Sequence, residues 1–116
     1  MALDQVGFEF GRVLGFLSRR QEVIASNIAN ADTPGYKTRD IATPGSFSAA
    51  LGRAQAAFEA DQAESPDLVV RNDGNNVSID REARLMAETT LKFTLASQMI
   101  RGEIKGIRSA IEEGRL

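Results

Sequence analysis

The residues most suggestive of chemistry lie in one short run, Asn72-Asp73-Gly74-Asn75-Asn76. Side-chain oxygens clustered around a glycine are the composition of a calcium loop. The spacing defeats that reading: with Gly74 in the sixth place, the first falls on Val69 and the third on Arg71, and neither supplies a side-chain oxygen. Arg19-Arg20 is a two-residue basic patch, suited to a solvated helix face or an ion pair between subunits rather than to nucleic acid. Glu103, Glu112 and Glu113 read as surface charge, with nothing to pair them for acid–base work. Asn76-Val77-Ser78 matches a glycosylation sequon, a pattern common by chance. The chain has no histidine and no cysteine. That removes the commonest general base, the commonest zinc ligand, every thiolate metal site and every disulfide. Carboxylates, serine or Lys37 would have to carry any catalysis. The expectation is a non-enzyme with no catalytic, cofactor-binding or metal-binding residues and no small-molecule substrate.

The charge balance agrees. Fourteen basic and sixteen acidic side chains leave a formal net charge of -2 over 116 residues, which gives no global attraction to nucleic acid or an anionic membrane. No apolar run approaches the ~20 residues of a membrane span. Residues 1–12 carry Asp4 and Glu9 without a basic leader, so no secretory signal is expected.

What the sequence does specify is two long helices. Leu3, Val6, Phe10, Val13, Leu17, Ile24 and Ala31 fall on alternating three- and four-residue steps, with Arg20 and Asn27 in the remaining places. Gly7, Leu14, Gln21 and Ile28 form a second row beside them. The spacing predicts an amphipathic helix over 1–31. Ile79, Ala83, Met86, Thr90, Phe93, Ser97, Ile100, Ile104, Ile107 and Ile111 repeat the pattern, predicting a second helix over 78–113. Ser78 or Asp80 can cap its start, and Gly114 is a natural stop. Heptad-spaced apolar residues make each helix seek another. The fold class is mainly α, an antiparallel coiled-coil hairpin in a single domain over 1–116.

The connection, 32–77, holds two Thr-Pro-Gly turns at 33–35 and 43–45, a short helix over 47–60, a linker over 61–67 and a strand over 68–71. Asp73-Gly74 is the expected corner of a small β-hairpin. Lys37 and Arg39 alternate with Thr38 and Asp40, as in a short extended stretch.

Glycine is costly inside a helix, at about 1 kcal/mol relative to alanine. Gly7, Gly11 and Gly15 in the first helix and Gly102 and Gly106 in the second are spaced by four. Such ridges suit close approach of neighbouring backbones, and they predict helices that become fully ordered only among copies or partner subunits.

The end of the first helix runs directly into the first turn. In Ser26-Asn27-Ile28-Ala29-Asn30-Ala31-Asp32-Thr33, Asn27 sits on the apolar seam, where a buried amide fixes register. Asn30 and Asp32 can bond local backbone, and Tyr36 offers an apolar body with a polar tip. This stretch resembles the N-terminal signature of the bacterial flagellar rod and hook family. The continuation Pro34-Gly35-Tyr36-Lys37-Thr38-Arg39-Asp40 is similar to its proximal rod branch, as are Asp73-Gly74-Asn75-Asn76-Val77, Met86-Ala87-Glu88, Leu91-Lys92-Phe93 and 105–111. The resemblance covers roughly residues 3–41 and 72–112.

The resemblance implies a proximal rod subunit in the flagellar basal body, in the periplasm, packed around a central export channel. It implies export through the flagellar type III apparatus. Its partners would be other rod proteins, membrane-ring and export-gate proteins, and copies of itself. Assembly contacts are expected on Leu14, Leu17, Ile24, Ile28, Phe93, Ile100, Ile104 and Ile107, with Asn27, Asn30, Thr33, Pro34, Gly35 and Tyr36 shaping the junction. A cytoplasmic adaptor that binds a partner helix in a groove shares the same helices and is the alternative.

Overall fold

The computed structural model describes residues 2–41 and 62–114. Helix α1 spans Ala2–Ala29, strand β1 Arg39–Ile41, strand β2 Gln62–Glu64 and helix α2 Ile79–Glu113. At 1.5 Å per residue the helices are roughly 42 and 52 Å long. They lie side by side and antiparallel, as the bonds Gln21 Nε2 to Thr90 Oγ1 (3.0 Å) and Asn27 Nδ2 to Glu82 Oε2 (3.0 Å) require. The molecule extends 71 Å along its long axis. The mainly helical hairpin expected from the heptads is therefore the fold.

From Phe10 onward the seam of α1 is the predicted one; the side chains of Leu3 and Val6 lie outside those described. Phe10, Val13, Leu17, Arg20, Ile24 and Asn27 are buried, followed by Ala31 beyond the helix end. Phe16 and Val23 are buried beside them, where the expected second row of Leu14 and Gln21 is only half-buried and Ile28 is exposed. Val13, Phe16, Leu17, Val23 and Ile41 form the core cluster, with Phe93 of α2 against it.

The seam of α2 differs from expectation. Its fully covered residues are Glu82, Thr89 and Ala96, and Met86, Phe93, Ile100 and Ile107 are half-buried. Of the single row expected, Ile79, Ala83, Thr90, Ile104 and Ile111 are exposed, with Ile104 at 54%. Hydrophobic counting missed the covered row because it contains a carboxylate and a hydroxyl. Both are satisfied where they lie: Thr89 Oγ1 donates to the Leu85 carbonyl at 2.7 Å, and Glu82 accepts from Asn27 and Arg81. At the start of α2, Ser78 is the cap, with its Oγ accepting from Arg81 N at 3.3 Å. Gly114 ends the helix with φ -70, without using the left-handed region open to glycine.

Strands β1 and β2 pair antiparallel, Arg39 opposite Glu64 and Ile41 opposite Gln62. The extended stretch expected around Lys37–Asp40 thus continues into a strand, but its partner is the stretch read as a linker. The strand expected over 68–71 does not form. Asp67, after Pro66, turns the chain at φ 62, and Val69 is 88% exposed with no neighbouring strand among the described residues. The run around Asp73-Gly74 is a tight turn, closed by Gly74 N to the Arg71 carbonyl at 2.9 Å, and it joins no strands. The turn expected at 43–45 and the helix expected over 47–60 lie outside the described residues.

Candidate functional site

The densest polar structure is the junction where α1 ends, the chain turns, and α2 begins. It is built around Asn27, which is fully buried. A primary amide has two acceptor sites and two donors, and all four are used. Oδ1 accepts from Tyr36 Oη at 3.0 Å and from Arg39 N at 3.2 Å. Nδ2 donates to the Arg39 carbonyl at 2.7 Å and to Glu82 Oε2 at 3.0 Å. One side chain of α1 thus holds the post-helix loop, β1 and the first turn of α2. Glu82, equally buried, takes its second bond from Arg81 Nη1 at 2.7 Å.

The Thr33-Pro34-Gly35-Tyr36 turn is of type II, as its sequence predicts. Tyr36 N donates to the Thr33 carbonyl at 3.2 Å, and Gly35 takes φ 75. Upstream, Asn30 Nδ2 donates to the Ser26 carbonyl at 2.8 Å, closing the helix end, and Thr33 Oγ1 donates to Asn30 Oδ1 at 3.1 Å. Pro34 is exposed and Tyr36 half-buried.

The run that invited a calcium reading acts as a clamp on this turn. Asn75 Nδ2 donates to the carbonyls of Asn30 and Thr33, each at 2.9 Å, and its Oδ1 accepts from Val77 N at 2.8 Å. Asn76 Oδ1 accepts from Thr38 N at 2.6 Å, and Gly35 N donates to the Asp73 carbonyl at 2.9 Å. Lys37 Nζ donates to the Gly74 carbonyl and Arg71 Nη2 to the Ala31 carbonyl. The oxygens are spent on backbone rather than gathered round a centre. Gly74, at φ 85, sits back to back with Gly35: a Cβ there would lie 3.2 Å from Gly35 Cα. Gly74 needs glycine for both its positive φ and this tight approach, whereas Gly35 needs it for φ alone, since a Cβ there would meet nothing within 4 Å.

Arg20 corrects another expectation. It is not part of a solvated basic patch but is buried, and it forms a two-point ion pair with Asp40 inside the chain: Nε to Oδ1 at 3.1 Å and Nη2 to Oδ2 at 3.0 Å. Such forked pairing fixes orientation as well as charge. It ties the last third of α1 to β1.

Of the residues expected to matter, Asn27, Asn30, Thr33, Pro34, Gly35 and Tyr36 come together in this junction. Leu17 and Ile24 are in the core, while Leu14, Phe93, Ile100 and Ile107 line the helix pair half-buried. Ile28 and Ile104 face outward. The sequence reading gave no site role to Glu82, Asn75, Asn76, Gly74 or Asp40. For Gly74, Asn75 and Asn76 a signal was present in the unusual density of Asn, Asp and Gly in a loop with no ligand spacing; Glu82 on α2 and Asp40 on β1 lie outside that loop.

No helix among the described residues is long and apolar enough to cross a membrane. The arrangement presents no assembled acid, base and nucleophile; its chemistry is hydrogen bonding that fixes two helices in register.

Comparison with known proteins agrees on one family. The model described as "Flagella basal body rod protein" matches residues 17–37, which run from the α1 seam through the type II turn. The flagellar basal body rod protein FlgB of Yersinia enterocolitica is 34% identical over 126 residues, covering 87% of this chain and 89% of that protein. The protein of the same name from Escherichia coli (strain K12) is 33% identical over 122 residues, with 87% and 88% covered. That from Salmonella typhimurium is 32% identical over the same span.

Proposed function

Since the chain belongs to the flagellar basal body rod protein family, with relatives of the FlgB type along nearly its whole length, we propose that it is a proximal rod subunit that packs around the export channel near the membrane ring. As a family member it is a structural component of the basal-body rod, and this removes the ground for the cytoplasmic adaptor. The finer reading is that all of 1–116 acts as one rod-subunit domain without catalytic activity. It leaves the cytoplasm through the flagellar type III apparatus, reaches the periplasmic rod, and contacts other rod proteins, membrane-ring and export-gate proteins.

One observation carries this reading. The segment that the family model matches is also the one the fold locks most firmly. Asn27, Asn75 and Asn76 use their side chains to hold the 30–39 backbone against the start of α2. A rod subunit must present two helices in a fixed register to its neighbours, and the junction sets that register.

The test is basal-body fractionation in the bacterium that carries the chain, with its own copy deleted. The wild-type chain restores swimming and co-purifies with basal bodies. Gly35→Val, which cannot hold φ 75 without strain, is made but absent from basal bodies, and cells stay non-motile. Normal rods built from Gly35→Val would refute the role of the turn. Absence of the wild-type chain from basal bodies would refute the assignment.

A further inference from the structure

Two outward rows of this hairpin have the same spacing and opposite size. On α2, the side turned away from α1 carries Arg84, Glu88, Leu91, Leu95 and Met99, on steps of four, three, four and four. All are exposed, including Leu91 at 60%, Leu95 at 51% and Met99 at 48%. On α1, the side turned away from α2 carries Glu22, Ser18, Gly15, Gly11 and Gly7, which read backwards have the identical steps. Gly7 and Gly11 do not serve the fold of one chain: a Cβ at either would meet nothing within 4 Å. At Gly7, Gly11, Gly102 and Gly106 the close packing expected of the glycine ridges therefore does not occur inside the subunit.

We propose that the outer face of α2 of one copy docks, antiparallel, on the outer face of α1 of a second copy. The register sets Leu91 on Gly15, Leu95 on Gly11 and Met99 on Gly7, and it brings Arg84 to Glu22. Large apolar side chains enter hollows left by glycine, so the two backbones approach closely. The two charges at the end of the row are opposite, so the register that seats the leucines also forms an ion pair. This names the partner of the rod reading above and rests on it.

The geometry fixes the kind of assembly. The faces differ, so the contact is head-to-tail and leaves a free face of each kind at the ends, the condition for an open ring or filament. All copies point the same way, because α2 runs antiparallel to the neighbouring α1 just as it does to its own. Within the chain Gln21 is level with Thr90 and Asn27 with Glu82. The proposed register shifts the neighbour by about four residues, on the order of 6 Å along the helix axis. Three large side chains over two helical turns give a smaller contact than a stable dimer needs. Copies therefore stay apart in dilute solution and join where neighbours hold them on both faces.

The chain's lack of cysteine makes the test direct. Leu95→Cys and Gly11→Cys chains are expressed separately, together, and as the double variant in the deletion strain, and isolated basal bodies are oxidised. The expected result is a cross-linked dimer when the two single variants are mixed, a ladder of multimers from the double variant, and none from either single variant alone. A dimer from Leu95→Cys alone would mean that like faces meet and would overturn the register. Incorporation into basal bodies without any Gly11–Leu95 cross-link, or a cross-link to a different basal-body protein, would overturn the contact between copies while leaving the rod reading intact. Wild-type chain absent from basal bodies would remove both.

Discussion

Replacing Asn27 by alanine tests the junction at its centre. The substitution removes four hydrogen bonds, to Tyr36, Arg39 twice, and Glu82. A neutral bond contributes about 1 kcal/mol net, and one to a carboxylate about 1.5–3 kcal/mol. Tyr36 and Arg39 are not fully covered and can turn to water, so their share is discounted. Glu82 is fully buried and keeps only Arg81. The expected loss is about 3–5 kcal/mol, a large part of the roughly 5–15 kcal/mol that holds a small domain folded. Urea unfolding of the isolated chain, followed by far-UV circular dichroism, reads it as a fall in midpoint and in helicity before urea is added. A paired change sharpens the test. Asn27→Leu with Glu82→Leu removes the amide and the stranded carboxylate together, so it should cost clearly less than the sum of its single changes. An Asn27→Ala chain with the wild-type midpoint, or strictly additive single changes, would refute the argument that this network holds the two helices in register.

Two glycine substitutions should have opposite signs. Gly74→Ala must hold φ 85 and place a Cβ 3.2 Å from Gly35 Cα; it is expected to lower stability by about 1–3 kcal/mol, seen as a lower urea midpoint, and an unchanged midpoint would contradict the back-to-back turns. Gly106→Ala meets open space in mid-helix and should stabilise α2 by about 1 kcal/mol, read as greater helicity of the isolated chain.

How much of this was legible in the sequence depended on whether the relevant residues were apolar. The α1 row from Phe10 to Ala31 was legible, Arg20 and Asn27 included, because apolar neighbours bracket each polar place, while Phe16 and Val23 beside it were missed. The type II turn was legible because proline and glycine restrict backbone angles directly. The α2 seam was half legible. Its covered row holds Glu82 and Thr89, which a hydrophobic pattern discounts, and isoleucines at 79, 104 and 111 drew the reading to a flank that the structure leaves exposed. The β1–β2 pairing left a pattern only on the β1 side, since Gln62-Ala63-Glu64 has weak strand preference and is extended by its bonding to β1. The clamp was visible as composition, but its function depends on which backbone groups lie within reach.

The polar seam residues also order the hairpin along its length. Arg20–Asp40, Asn27–Glu82 and the paired turns all lie at the junction end, while full burial on α2 ceases at Ala96. Beyond it come Gly102 and Gly106, with Ile100 and Ile107 only half-buried, opposite an α1 start that contains Gly7 and Gly11. Directional bonds need unique partners and set register; apolar contacts and glycines tolerate sliding. A subunit built this way fixes its register at one end and leaves the other weakly held. Its exposed rows are then open to neighbours, and order gained on assembly is expected where the single chain is least stabilised. That distribution suits a structural subunit better than an even spread of the same interactions, because a helix pair already rigid throughout would gain less from joining the rod.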